Sequence, residues 1–276
     1  LAYHYLDEGE GDPLVMVHGN PTWSFYFRAL VSALSPRYRT IVPDHIGCGL
    51  SAKPTPQQYG YRLINRIDDL DYLLQQITDQ TGLTLIGHDW GGMIATGYAL
   101  RRPERVKRLV LMNTAAFLPP GGRALPYRLR LLRQHPQLAT YAVLGLNLFA
   151  RGALYMAPAS RLTPDVKAGL IAPYNNWSNR MATLQFVLDI PLTPEDPSYK
   201  WVLQADRQLS TLSSKPLLLC WGERDFVFTR HYLAEWQRRF PEAEVHRFKR
   251  GGHYLLEDEP ARVAALIAQF LRRHPL

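Results

Sequence analysis

The sequence predicts an α/β fold, a mostly parallel, doubly wound sheet with a helical insertion. Three observations predict it. Short apolar runs of strand length alternate with segments of helical spacing at both ends of the chain. One such run, Leu85-Ile86, feeds a Gly-x-Asp-x-Gly turn (Gly87-His88-Asp89-Trp90-Gly91) and then a helical segment, Met93 to Arg101, stopped near Pro103. From about Phe117 to about Ser213 the alternation ceases and the sequence turns Leu-rich and helical.

The elements follow in order. Tyr3-His4-Tyr5-Leu6 and Leu14 to Val17 flank the turn Gly9-Glu10-Gly11-Asp12 and read as an antiparallel hairpin opening the sheet. Thr40-Ile41-Val42 is a further strand. The spacing of Leu63, Ile64, Ile67, Leu70, Leu74 and Ile77 predicts an amphipathic helix ahead of the elbow strand, and Val106 to Met112 predicts the strand after it. Pro119-Pro120-Gly121-Gly122 opens the insertion, and Pro191, Pro194 and Pro197 punctuate its return. Tyr141 to Pro158 reads as one apolar helix, interrupted by Asn147 and Arg151 before it reaches the ~20 residues of a membrane span. Pro216 to Gly222 is another strand, and a helix is expected near Arg230 to Phe240. The predicted division is a core of residues 1–116 and 214–276, with residues 117–213 as a helical cap over the site.

Composition narrows the classes. The 276 residues are 46% hydrophobic and 20% charged, enough for one sizeable folded core. The formal charge of +8 is spread over pairs such as Arg101-Arg102, Arg238-Arg239 and Arg272-Arg273. No compact basic block or nucleic-acid motif accompanies it, so it reads as solvated surface. Cys48 and Cys220 are the only cysteines. They make no disulfide scaffold and have no metal-ligand spacing; neither metal nor cofactor is expected, and a reducing cytoplasm is the inferred setting. No secretory leader is visible in the sequence.

The chemistry centres on Asp89. A strand–turn–helix elbow commonly presents serine, which must lose a proton before it attacks. A carboxylate, with a reference pKa of ~3.9, is already ionised at neutral pH and can attack carbon directly, leaving an ester on the enzyme. Downstream, the strand ending at Gly222 runs into Glu223-Arg224-Asp225, and Gly251-Gly252-His253-Tyr254 follows. Nucleophile, then acid, then histidine is the chain order of an α/β-hydrolase triad. Asp225 would orient the imidazole of His253, which would serve as base or proton shuttle. Upstream, Leu14 to Val17 ends in His18-Gly19-Asn20-Pro21. In this fold that loop and the residue after the nucleophile give the two backbone N–H groups of an anion hole. Asn20 and Trp90 occupy those positions and carry side-chain donors as well. Taken singly, Asp89 would also read as a turn residue, Asp225 as a helix cap, His253 as a surface histidine, Asn20 as a turn residue and Trp90 as core.

His18-Gly19-Asn20-Pro21 together with Gly87-His88-Asp89-Trp90-Gly91-Gly92 resembles the haloalkane dehalogenases, α/β-hydrolases with an Asp nucleophile and an Asn/Trp pair that holds halide. The resemblance runs through nearly the whole chain. Pro43-Asp44-His45-Ile46-Gly47-Cys48-Gly49-Leu50-Ser51, Asn113-Thr114-Ala115-Ala116-Phe117 and Asp225-Phe226-Val227-Phe228 look closer to one relative, the β-lactone decarboxylases of bacterial long-chain olefin biosynthesis. Pro173-Tyr174-Asn175-Asn176-Trp177 and Asp189-Ile190-Pro191-Leu192 add to that likeness. Some dehalogenases carry their acid where this chain has Asn113, so the acid falls to Asp225.

The resemblance implies decarboxylation of a cis-3,4-dialkyl β-lactone to a cis-alkene and CO2, with Asp89 attacking the ring and Asn20 and Trp90 holding the oxygen that gains charge. Whether attack falls on the ring carbon bearing oxygen or on the carbonyl stays open at this level. Hydrolytic dehalogenation through an alkyl ester of Asp89, with water activated by His253, is the alternative. An epoxide hydrolase would need paired cap tyrosines, for which Tyr127, Tyr141, Tyr155 and Tyr174 are candidates by location. A non-catalytic receptor is the reading from another class. Trp90, where fluoroacetate dehalogenases have arginine, favours neutral, apolar substrates. Leu144, Leu146, Leu148, Phe149, Trp177 and Phe186 are candidates to line a tunnel for alkyl chains. Assembly with lactone-forming enzymes, or with further copies of the chain, is implied as well.

Overall fold

The computed structural model describes residues 1–276. Seven strands, β1 (Tyr5–Glu8), β2 (Pro13–Val17), β3 (Arg39–Pro43), β4 (Leu83–His88), β5 (Val106–Met112), β6 (Leu217–Gly222) and β7 (Glu244–Phe248), form one sheet in the order β1-β3-β2-β4-β5-β6-β7. Only β1 runs antiparallel to its neighbour; β3 through β7 are parallel. The inner strands β2, β4 and β6 are buried at every position, as strands covered on both faces must be. Alternation then sorts their side chains. Val15, Val17, Leu85, Leu109, Leu111, Leu219 and Trp221 enter a core of 33 residues on one face. Leu14, Met16, Ile86, Val110, Met112, Leu218 and Cys220 enter one of 25 on the other.

Helices cover both faces. They are α1 (Arg28–Leu34), α2 (Leu63–Ile77), α3 (Trp90–Arg101), then α4 (Tyr127–Gln134), α5 (Pro136–Thr140), α6 (Leu148–Met156), α7 (Pro164–Ile171), α8 (Met181–Leu188) and α9 (Tyr199–Gln208), followed by α10 (Arg230–Arg239), α11 (Leu255–Asp258) and α12 (Pro260–Arg273). The six from α4 to α9 lie between β5 and β6 with no strand among them. Two carboxylates, the buried Asp189 and the half-buried Asp258, tie this run to the rest of the chain. Asp189 accepts from Leu63 N at 2.8 Å and Ser198 Oγ at 2.7 Å. Asp258 accepts from Ala159 N, Ser160 N and Gly252 N at 2.7–2.8 Å. No helix is long and apolar enough to cross a membrane.

Two expectations are corrected, and one strand is added. β1 and β2 do not pair as a hairpin: β3 lies between them, antiparallel to β1 and parallel to β2. The fully buried β2 takes a parallel neighbour on each side, which leaves the half-exposed β1 at the edge. The span from Tyr141 to Pro158 is not one helix. A π-type turn covers Tyr141–Gly145, and Asn147, in the left-handed region at φ 54°, precedes α6; asparagine tolerates that conformation better than most residues. The edge strand β7 has too few apolar residues to announce itself, and its burial is only partial.

Candidate active site

Because β2, β4, β6 and β7 point the same way, the loops that follow them emerge at one edge of the sheet. Asn20 lies just past β2, Asp89 directly after β4, Asp225 past β6 and His253 past β7. All four are buried, and Trp90 opens α3 beside them.

The elbow depends on close backbone approach. Asp89 sits at φ 54°, ψ −129°, a conformation that costs a non-glycine residue on the order of 1–3 kcal/mol. Its neighbours make the room. A Cβ on Gly91 would lie 1.9 Å from the Val17 carbonyl oxygen, and one on Gly92 would lie 2.3 Å from Thr114 Oγ1. Thr114 Oγ1 donates to the Asp89 carbonyl oxygen at 2.5 Å, pinning the elbow from β5. On Gly19 an added Cβ would meet Asp89 Oδ1 at 2.2 Å, so that loop also packs directly on the carboxylate.

The two carboxylate oxygens of Asp89 are not equivalent. Oδ1 accepts the backbone N–H of Asn20 at 2.8 Å. Oδ2 lies 3.5 Å from His253 Nε2, close enough for charge attraction and long for a hydrogen bond. The other ring nitrogen of His253, Nδ1, donates to Asp225 Oδ2 at 2.8 Å. Asp225 Oδ1 is held in turn by the N–H groups of Val227 (2.6 Å) and Phe228 (3.1 Å).

Burial disfavours a charged imidazole, yet the carboxylates of Asp225 and Asp89 on either side outweigh it and hold the pKa of His253 up to about 10. Burial likewise tends to raise Asp89, but the hydrogen bond and charge of His253, with the Trp90 N–H, hold its carboxyl below the ordinary value. At neutral pH the arrangement is an anionic Asp89 beside a cationic imidazole.

Asn20 differs in part from its expected use: its backbone N–H is on the Asp89 carboxylate rather than aimed away from it. Its side chain donates from Nδ2 to Thr183 O at 3.2 Å, which engages one of its two amide hydrogens, while Oδ1 is buried without a partner. Trp90 is braced by Phe186 at 5.5 Å between ring centroids, and the buried Arg66 guanidinium stacks on Phe186 at 3.6 Å. Asn113, where an acid was considered and set aside, engages both ends of its amide with Gly222, at 3.1 and 2.8 Å. It joins the ends of β5 and β6 and stays off the imidazole.

Two residues here escaped the sequence reading. Thr114 is the elbow's fastener. His88 places Nε2 2.7 Å from the His253 carbonyl oxygen and donates to it, fixing the backbone of the loop that carries His253. Burial, then the neighbouring imidazolium, push His88 down to about 4, so it stays neutral. Its place inside the Gly-His-Asp-Trp-Gly motif was the available signal.

Above Asp89 and Trp90 lie two apolar chambers. The larger, about 470 Å³, reaches past Leu129, Leu132, Leu148, Phe149 and Val187 and includes Asn20 and His253 in its wall. The smaller, about 90 Å³, is bounded by Met93, Phe117, Leu118, Val202, Phe228 and Tyr232. They share Asp89, Trp90, Leu129, Ile190 and Val227. Of the six residues considered for an alkyl tunnel, only Leu148 and Phe149 line it. Leu144 packs in a separate small cluster, Leu146 and Trp177 face outward, and Phe186 supports Trp90. The four tyrosines considered for epoxide chemistry stay outside: Tyr127, Tyr141 and Tyr155 are exposed, and Tyr174 donates to Thr22 O.

Comparison with known proteins places the fold. The pattern of the alpha/beta hydrolase fold family covers residues 12–260. A cis-3-alkyl-4-alkyloxetan-2-one decarboxylase of Shewanella oneidensis is 48% identical over 97% of this chain and 84% of its own length. Haloalkane dehalogenase 2 of Mycobacterium bovis is 32% identical over 96% of this chain and 90% of its own. Among solved structures, a haloalkane dehalogenase from Bradyrhizobium elkani superposes with a TM-score of 0.86 at 27% identity, covering 98% of this chain and 95% of that one.

Proposed function

The chain belongs to the α/β-hydrolase fold family, in its haloalkane dehalogenase-like branch, and on that premise we propose that it decarboxylates cis-3,4-dialkyl β-lactones. The observation that carries this reading is the pair of apolar chambers meeting at Asp89 and Trp90. A cis-disubstituted four-membered ring projects two alkyl chains from one side, so it needs two apolar arms and a nucleophile at their junction. An alkyl halide of one chain would fill only one arm.

The route that balances begins with Asp89 Oδ2 displacing the ring oxygen from the carbon that bears it. That inverts the carbon, forms an alkyl ester and frees the substrate carboxylate. The C–CO2 bond then breaks; its electrons form the double bond and expel Asp89. Inversion followed by anti elimination keeps both chains on one side, giving the cis-alkene. Asn20 and Trp90 serve as donors to the oxygen that gains charge, and the cationic His253, oriented by Asp225, adds electrostatic support. No water enters. A protonated His253 is therefore compatible with each of these steps. Helices α4 to α9, within residues 117–213, serve as the cap that keeps bulk water from this chemistry. The substrate is an apolar small molecule, and assembly with lactone-forming enzymes in the cytoplasm fits a product and substrate of low solubility.

A paired assay tests the reading. Purified protein receives a cis-β-lactone with two long alkyl chains and, separately, 1-bromobutane or 1-iodobutane. Alkene by gas chromatography without halide release is the expected result. Halide release without alkene would hand the site to dehalogenation, and binding without turnover of either would leave a receptor.

A further inference from the structure

The sequence from Arg105 to Pro164 contains no aspartate or glutamate, yet between Phe117 and Pro164 it carries six arginines. Only Arg133 among the six is paired, with Asp196. Arg123, Arg128, Arg130, Arg151 and Arg161 are exposed and form no salt bridge. In a chain of net charge +8 with acids elsewhere, that is a local field of one sign.

The same segment, with Phe226 from the loop after β6, holds out apolar side chains. Leu138, Leu148, Met156 and Phe226 form the outer wall of the large chamber and are 40–54% exposed, which makes them its rim. Arg128 belongs to that rim and reaches Met156 Sδ at 3.2 Å. Beside it, Tyr127, Tyr141 and Tyr155 are 69, 63 and 72% exposed. Tyr155 has the Lys167 ammonium over its ring at 4.3 Å. A rim of leucine, methionine and phenylalanine, flanked by tyrosines and unpaired arginines, combines the side chains that settle at a lipid headgroup boundary. Scattered exposed apolar residues carry no meaning alone. Here they ring the mouth of a cavity built for apolar molecules.

We propose that this face docks on an anionic phospholipid surface, so that the two-tailed substrate enters the large chamber from the bilayer rather than through water. The arginines engage headgroup phosphates, and the rim residues dip into the interface. The delivery role rests on the lactone reading above; docking itself does not.

The test uses the full chain without lactone. Its co-sedimentation is measured with phosphatidylglycerol–phosphatidylethanolamine vesicles and with pure phosphatidylcholine vesicles, at low and high salt. Binding to the first alone, weakened by salt, is expected. Arg130→Glu with Arg151→Glu should lower that binding roughly tenfold or more, and Tyr141→Ser should lower it less. All three positions lie outside the chamber walls, so unchanged melting and unchanged turnover of a dispersed short-chain lactone show that the variants fold. Absence of binding to both vesicles would overturn the proposal. So would binding that survives charge reversal, or a face covered by a second copy, seen as a light-scattering dimer that Tyr141→Ser dissociates. A protein that binds vesicles but makes no alkene would keep this surface and lose the decarboxylase.

Discussion

The floor and the roof of the cavity are held by different forces. The floor, at the ends of β2, β4, β6 and β7, is fixed by backbone: glycines pressed against carbonyl oxygens, an N–H on the Asp89 carboxylate, a threonine hydroxyl on the elbow. The roof, built from α4 to α9, is fixed by side-chain packing and the anchoring carboxylate of Asp189, with much of its apolar surface left open. A floor held by backbone tolerates almost no change. A roof held by side chains can change shape while the chemistry beneath stays intact.

The sharpest way to break that contrast is at the proposed nucleophile. Asp89→Ala should lower turnover by at least ~10⁴-fold, because no other group in the site can take its place; residual rates near wild type would remove Asp89 from the reaction. Gly91→Ala attacks the floor without touching a reacting atom. Its Cβ would lie 1.9 Å from a backbone oxygen that cannot swing aside, so a loss of about 3 kcal/mol in denaturant melts is expected. A melt unchanged from wild type would mean that the floor is as adaptable as the roof.

His253→Gln should cost about 10²-fold, less than Asp89→Ala, since decarboxylation needs its charge and not its basicity. If the variant instead accumulates a butyl ester on Asp89 from 1-bromobutane, visible by mass spectrometry, hydrolysis is the true course. The same residue sets a pH signature. Its folded pKa of about 10 lies above the ordinary 6.5, so its contribution to stability is whole below about 6.5 and is lost as pH rises toward 10. Melting temperature followed across that window should fall more in the wild type than in His253→Gln. The smallest effect belongs to the segment that leads into the roof: Leu118→Trp should narrow the 90 Å³ chamber and raise KM about tenfold for lactones with two long chains, with kcat on a short-chain lactone unchanged. An equal fall in kcat for both would show that the roof reaches the chemistry.

The same division explains what could be read without coordinates. Asp89, Asp225, His253, Asn20 and Trp90, which the fold brings together, could be singled out because each directly follows a strand or sits in a turn of glycine and proline, features that local backbone geometry writes into the sequence. The parallel sheet was legible for a related reason: strands buried on both faces are apolar throughout. What depended on distant partners was not. The edge position of β1 is decided by β3, more than thirty residues away in sequence. Phe186 looked like a tunnel residue because its hydrophobicity says nothing of direction, and the structure turns it against Arg66 and Trp90. Asn147 was read as an interruption of polarity, whereas its effect is on the path of the backbone.

The unequal oxygens of Asp89 carry one more consequence. If Oδ2 leaves its ester by elimination, the aspartate regains the atoms it began with, and both lactone oxygens depart as gas. Repeated turnover in heavy-oxygen water should then leave the peptide containing Asp89 at its natural isotopic mass, however many cycles it has run. Hydrolysis would write the solvent's isotope into that side chain at the first cycle, so a single residue would keep the record of which reaction it had performed.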